Sequence, residues 1–267
     1  GLWFSGSKKA TNFIKDSLDI NDLPDSYPIL NSEEATTGRI QISYGCPYFC
    51  SFCFEGYDRK PYRELNAKDI ILKAKQLKKN QGISKLELYS FNFNIHSEIY
   101  FLLTELSKIF WNVSFKSQRI DVLNSSGALL EAEILADKRS FTFGIEGISE
   151  RMRSFLNKSL SLESIDDLLQ KLFRQKIREI KLFYILTGYE KDDDFEEFAK
   201  FVKNIESYKK RYNSSIRVIF SFGLLTRMNG TPLKYDKLFL SEKEMGFVIN
   251  PVKEICKTYK LDFRMAF

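Results

Sequence analysis

Three of the chain's four cysteines fall within eight residues, at Cys46, Cys50 and Cys53 of GCPYFCSFC, spaced C-x3-C-x2-C. Thiolates are soft ligands that select zinc, copper(I) or iron–sulfur clusters. A structural zinc site takes four ligands, usually as two separated pairs. Only Cys256 and the sole histidine, His96, remain to complete such a set, and neither has a partner at motif spacing. Iron–sulfur clusters normally take four cysteines. Three on one loop leave one iron of a [4Fe–4S] cluster without a protein ligand, and an open coordination position marks a catalytic rather than a structural metal site. Clustered cysteines in a chain of this size do not read as a disulfide framework, so a reducing, cytoplasmic setting is expected.

The elements that must hold this loop are legible as alternating patterns. Strand-type runs cover 39–44, 84–90, 112–117, 140–146, 179–187 and 216–225. Helical periodicity lies near 67–80, 97–109, 127–136, 161–175, 193–209 and 242–259, and a short last strand, LDFRM, is placed at one edge. Strands alternating with helices predict an α/β fold with a parallel sheet and right-handed crossovers. An open doubly wound sheet and a partial barrel both satisfy the pattern. In either, the site belongs at the C-terminal ends of the strands, which is where the cysteine loop falls. The acidic run KDDDFEE reads as the start of a helix, where carboxylates meet the positive end of the dipole. Residues 1–38 read as a lead-in and 39–267 as one core domain.

Composition narrows the partners. The chain has 267 residues, 43% hydrophobic and 28% charged, with a formal net charge of +6, an ordinary globular balance. No apolar run approaches the roughly 18–20 residues that span a bilayer, so no membrane role is expected. The lysines of KDIILKAKQLKKN read as the wet face of an amphipathic helix, and no RNA-binding signature accompanies them. The chain begins with Gly rather than Met, as a processed, tagged or excerpted protein does.

GCPYFCSFC resembles the C-x3-C-x-aromatic-C signature of the radical S-adenosylmethionine (SAM) superfamily, with Phe52 as the aromatic. The resemblance runs over about residues 38–235 and is greatest to cobalamin-associated and tRNA-methylthiolating members. It implies a partial (β/α)6 TIM-type barrel, a [4Fe–4S] cluster on Cys46, Cys50 and Cys53, and SAM chelating the fourth iron. SFTFGIEGISERMRSFLNKSL resembles the fourth-strand segment, which makes Glu146 the candidate for the SAM ribose hydroxyls, Lys158 for the methionyl carboxylate, and Arg151 a weaker one. KSQRID resembles the third-strand end and brings in Ser117 and Arg119. Where relatives carry a glycine–glycine–glutamate motif for the SAM amino group, this chain has LYSFNFNIHSE, so Ser90 is expected to supply that contact, with Asn92 and Asn94 facing the same region. ILTGYEKDDDF lacks the proline of the fifth-strand pattern, which weakens any role for Glu190.

The resemblance implies an enzyme that cleaves SAM reductively to a 5′-deoxyadenosyl radical, or that assists cobalamin-dependent methyl transfer. A tRNA methylthiotransferase-like enzyme and a non-catalytic iron–sulfur scaffold or electron carrier are the alternatives. The implied partners are an unknown substrate, a one-electron donor such as flavodoxin or ferredoxin, and a cobalamin-binding domain whose linker DLPDSYPIL resembles. Each site residue also has a plainer reading: Glu146 as a helix cap, Arg119 paired with Asp121, Lys158 and Arg151 as solvated helix residues, and His96 as a loop residue.

Overall fold

A computed structural model describes residues 19–26, 36–115, 117–236, 239 and 241–266. Nine strands are present among them: β1 (Thr37–Gln41), β2 (Ser43–Tyr44), β3 (Arg63–Glu64), β4 (Lys85–Tyr89), β5 (Asn112–Phe115), β6 (Ser140–Glu146), β7 (Glu179–Leu186), β8 (Arg217–Leu224) and β9 (Asp262–Met265). The helices are α1 (Phe54–Asp58), α2 (Ala67–Gln81), α3 (Ile99–Ile109), α4 (Ile120–Ser125), α5 (Gly127–Leu135), α6 (Glu150–Phe155), α7 (Leu162–Phe173), α8 (Asp192–Tyr212) and α9 (Glu242–Thr258).

One parallel sheet runs β1-β4-β5 and a second runs β6-β7-β8-β9. Among the described residues a single parallel bridge, Gln118 to Phe143, joins them across a seam. Six strands, β1, β4, β5, β6, β7 and β8, thus form the partial barrel that the resemblance implies, with β9 added at the edge of β8. The predicted first strand over 39–44 breaks after Gln41. Ile42 donates to Tyr89 O and accepts from Leu65 N, and β2 then turns aside to pair with β3. Helices α1, α4 and α6 had no periodic signal, because five or six residues cannot display one.

The strands of the second sheet show how the sequence sets the site. Along β6, Phe141, Phe143 and Ile145 are at most 1% exposed and pack under the helices, each contributing about 1.5–3 kcal/mol. The alternate positions Ser140, Thr142, Gly144 and Glu146 face inward. Four small or polar residues there leave the barrel interior open rather than packed, so the fold has a cavity where a closed barrel has a core.

Helix ends are set as the residue types require. Asn66 accepts from Lys68 N at 2.9 Å to cap α2, and Gly82 ends it at φ 65°. The acidic run opens α8 as expected, with Asp194 accepting from Lys191 N at 2.7 Å. Of the lead-in, residues 19–26 lie against α2, where Lys73 Nζ is 2.6 Å from Asp25 Oδ1. Residues 27–30 of the linker-like DLPDSYPIL lie outside the described residues. Among the described residues no helix is long and apolar enough to cross a membrane.

Candidate functional site

The cysteine loop follows β2 and is fixed from several sides. Gly45 adopts φ +74°, and a Cβ there would lie 2.2 Å from Arg59 O, so the turn requires glycine. Ser51 N donates to Leu156 O at 2.9 Å, Leu233 N to Ser51 O at 3.3 Å, and Tyr57 Oη to Phe49 O at 2.9 Å. Phe52 packs with Leu156, Leu225 and Leu233. A loop held in this way presents its side chains in one arrangement before any ligand arrives.

All three thiols of the loop are free and line one cavity of about 740 Å³ at the C-terminal ends of the strands. Cys46 and Cys50 are 8% and 7% exposed. Burial pushes both thiols up; the Asn92 amide opposes this at Cys46, and the Lys158 ammonium at both. Among the described residues no three His, Cys, Asp or Glu side chains converge to hold a single metal ion. Three thiolates on one loop are the donor set of a cluster, in which each takes its own iron. Cys256 does not complete the set: it lies on the buried face of α9, in the core, with its thiol pushed up to about 12 by burial.

Opposite the loop, the end of β6 places Glu146 in the left-handed region, φ +70°, with a register shift between Gly144 and Glu146. Its carboxylate lies 3.7 Å from Lys158 Nζ, and both line the cavity. Burial pushes the Glu146 carboxyl up, and Lys158 opposes that shift. A Cβ at position 144 would sit 2.0 Å from Glu146 Oε1. The missing side chain of Gly144 is the space that the carboxylate occupies.

Ser117 and Arg119 also line the cavity. Ser117 is at φ 61°. The Arg119 guanidinium lies 3.6 Å from the ring centre of Tyr48 and pairs with Asp121 at 2.8 and 2.9 Å. The plainer reading of Arg119 as an Asp121 partner is therefore seen, but 4% exposed and on the cavity wall rather than at the surface. Asn94 clamps its backbone through bonds of 2.9 and 3.0 Å.

Two of the expected residues stand away from the cavity wall. Arg151 is not brought to the cavity; its guanidinium is taken by Asp194 and by Tyr189 O, which ties α6 to the loop before α8. Ser90 does not line the cavity either. It bonds Ser43 Oγ at 2.7 Å and accepts from Asn92 N at 3.2 Å, which turns Asn92 inward instead. Asn92 Nδ2 then donates to Cys46 Sγ at 3.2 Å. His96 is buried and paired on both ring nitrogens, with Leu65 O and Glu98 N. Glu190 closes its own loop by accepting from Thr187 N and Gly188 N. Sequence reasoning missed Gln118 and Lys138, both on the cavity wall. Gln118 sat inside the quoted KSQRID; Lys138 lies in a short connection with no pattern.

The sequence model of the radical SAM superfamily matches residues 40–202. Among curated proteins, the chain is 25% identical over 198 residues to an uncharacterized protein of Methanocaldococcus jannaschii, covering 72% of this chain and 44% of that protein. It is 27% identical over 218 residues to the tRNA-2-methylthio-N(6)-dimethylallyladenosine synthase of Alkaliphilus oremlandii, covering 77% and 44%. The chain thus spans less than half the length of these relatives. Among solved structures, the cobalamin-dependent S-adenosylmethionine radical enzyme OxsB aligns with a TM-score of 0.54 at 15% identity, covering 85% of this chain and 31% of that one. Streptococcus suis SuiB, bound to precursor peptide SuiA, aligns at 0.53 and 14%, covering 87% and 49%. At these identities the structural likeness speaks for the fold.

Proposed function

Because the chain belongs to the radical SAM superfamily, whose model covers more than half of it, we propose that its cavity is the site at which SAM is cleaved reductively. The family uses a [4Fe–4S] cluster and SAM, and the chain is an enzyme of that class. Cys46, Cys50 and Cys53 would hold the cluster, with Phe52 packed behind the loop. Held there, a cluster would supply the one electron that reductive cleavage of SAM to methionine and a 5′-deoxyadenosyl radical requires.

The chain's own residues do the rest. Glu146, partly buried and beside Lys158, is an acceptor for the ribose diol; carboxylates accept and cannot donate when ionised. Lys158 carries a charge suited to the methionyl carboxylate. Ser117 and Arg119 line the facing wall. Asn92, rather than Ser90, is the polar group at the second-strand end. The observation that carries this reading is that three thiols and the Glu146–Lys158 pair, far apart in sequence, meet on one cavity at the strand ends. It is tested by measuring SAM binding and 5′-deoxyadenosine formation in Glu146→Ala. Loss of both supports it; unaltered SAM affinity counts against it.

Two finer readings follow from the likenesses. A cobalamin-dependent reaction, of which methyl transfer is one form, is in keeping with the fold shared with OxsB, and would need a cobalamin-binding domain and a one-electron donor such as flavodoxin or ferredoxin. A methylthiotransferase-like reaction is supported by the match to the tRNA synthase. Transfer of a methyl group to substrate only when methylcobalamin is added favours the first; sulfur insertion into a tRNA base favours the second.

A further inference from the structure

The cavity does not end at the thiols. It reaches the seam between the two sheets, where Gln118 and Lys138 form part of its wall. Gln118 is 5% exposed, and among the described residues neither its amide nitrogen nor its amide oxygen has a hydrogen-bond partner. Each unpaired buried group costs roughly 1–3 kcal/mol. A fold that keeps both ends of an amide in that state, on the wall of its functional cavity, calls for an explanation.

The neighbours do not supply the missing partners. Glu133 lies alongside, and the amide helps to keep its carboxylate ionised, but without ordinary hydrogen-bond geometry. Lys138 Nζ is 3.1 Å from Glu133 Oε2. It also lies 4.0, 5.0 and 5.2 Å from the ring centres of Phe115, Phe141 and Phe93. One carboxylate and three rings thus compensate the cation. With its two charges matched, the seam offers little to a charged headgroup. What it leaves without ordinary hydrogen-bond geometry is neutral: the buried N–H donor and C=O acceptor of Gln118, side by side in one plane. The hydroxyl-bearing Ser140 and Thr142 and the rings of Phe115 and Phe183 line the same cavity, a mixed lining of the kind that small-molecule sites use.

Building on the radical SAM reading of this cavity, we infer that Gln118 recognises substrate, and that the substrate presents a neutral planar edge with a donor and an acceptor side by side. A nucleobase-type lactam and a primary carboxamide both carry that edge. A trans peptide unit does not, because its N–H and C=O point in opposite directions. A carboxylate offers only acceptors and an ammonium only donors, so each would leave one end of Gln118 unpaired.

The test is equilibrium dialysis of the full chain, reconstituted anaerobically and saturated with SAM, against labelled uracil and, separately, labelled nicotinamide. N,N-Dimethylnicotinamide, which has lost its amide protons, is the control, and bound SAM is counted in the same chambers. The expected result is stoichiometric binding of a probe, weakened on the order of tenfold or more in Gln118→Leu. Gln118→Glu, which keeps the shape and replaces the donor with an acceptor, should weaken it as well. Uracil binding assigns a heterocyclic edge, nicotinamide binding a carboxamide. Binding of neither probe would leave water as the occupant and overturn the inference. So would equal affinity in Gln118→Leu, or a dimethyl control that binds as tightly as nicotinamide. Absence of SAM from chambers in which the probe stays bound would count against the proposed function and not against this pocket.

Discussion

Replacing Gly144 with alanine should weaken SAM binding while leaving the fold intact. The added Cβ would lie 2.0 Å from Glu146 Oε1, and real Cβ atoms essentially never approach within 3.0 Å. The carboxylate must therefore retreat by about 1 Å or more. A hydrogen bond formed at about 2.7 Å would open beyond 3.5 Å, which is no longer a bond. Hydrogen bonds to a charged acceptor contribute about 1.5–3 kcal/mol, so losing one should weaken SAM binding roughly 10- to 150-fold. The clash falls on the far end of a flexible side chain, and Gly144 sits in an ordinary strand conformation, so the backbone need not move. Alanine there also restricts the unfolded chain, worth about 0.4–1 kcal/mol. Dialysis against labelled SAM and a thermal melt would be run side by side. A SAM affinity equal to that of the unmodified chain, with an unchanged melt, would refute the assignment of Glu146 as a SAM contact.

Three further outcomes follow from single groups. Among the described residues the Tyr184 hydroxyl has no hydrogen-bond partner and is buried beside Phe198, Phe220 and Phe222, so Tyr184→Phe should raise stability by about 1 kcal/mol in urea titration; destabilisation would contradict this. Glu133 titrates at about 6, against 4.5 unperturbed, because burial outweighs Lys138 and Gln118. The folded state then holds this proton more tightly than the unfolded one, so stability falls as pH rises through that window. Relative to Glu133→Gln, the unmodified chain should lose about 2 kcal/mol between pH 4 and 7, and a flat difference would contradict it. Asn92→Leu removes the hydrogen bond to Cys46 Sγ and should move the cluster's midpoint potential negative in a redox titration; an unmoved midpoint would show that the bond does not reach the cluster.

The parts of this molecule that sequence reveals are those with a period or a motif. Six alternating apolar runs gave the barrel strands, and C-x3-C-x2-C at a strand end gave the thiol loop before any coordinates. Glu146 and Lys158 were reachable because GIE and the basic residue after it stand in one continuous segment. Ser90 and Arg151 stand away from the cavity wall for a different reason. Both have the right residue type near the right strand end, but side-chain partners decide direction. Ser43 holds Ser90 back, and Asp194 draws Arg151 outward. Neither partner is adjacent in sequence. Gln118 and Lys138 come together only because the two sheets meet at a single bridge, a tertiary fact with no local signature. The polar inward face of β6 was present in SFTFGIE as alternation, yet alternation alone does not say whether the inner face meets solvent, a core or a cavity.

The central claim is that the three thiols hold a cluster that SAM engages. Its most direct test is anaerobic reconstitution of the chain and of Cys50→Ala, with iron and sulfide counted and the reduced samples examined by electron paramagnetic resonance with and without SAM. The account predicts four irons and four sulfides per chain, a reduced signal that changes on adding SAM, and 5′-deoxyadenosine in the product, all lost in Cys50→Ala. A single zinc per chain, or a cluster signal indifferent to SAM, would contradict it.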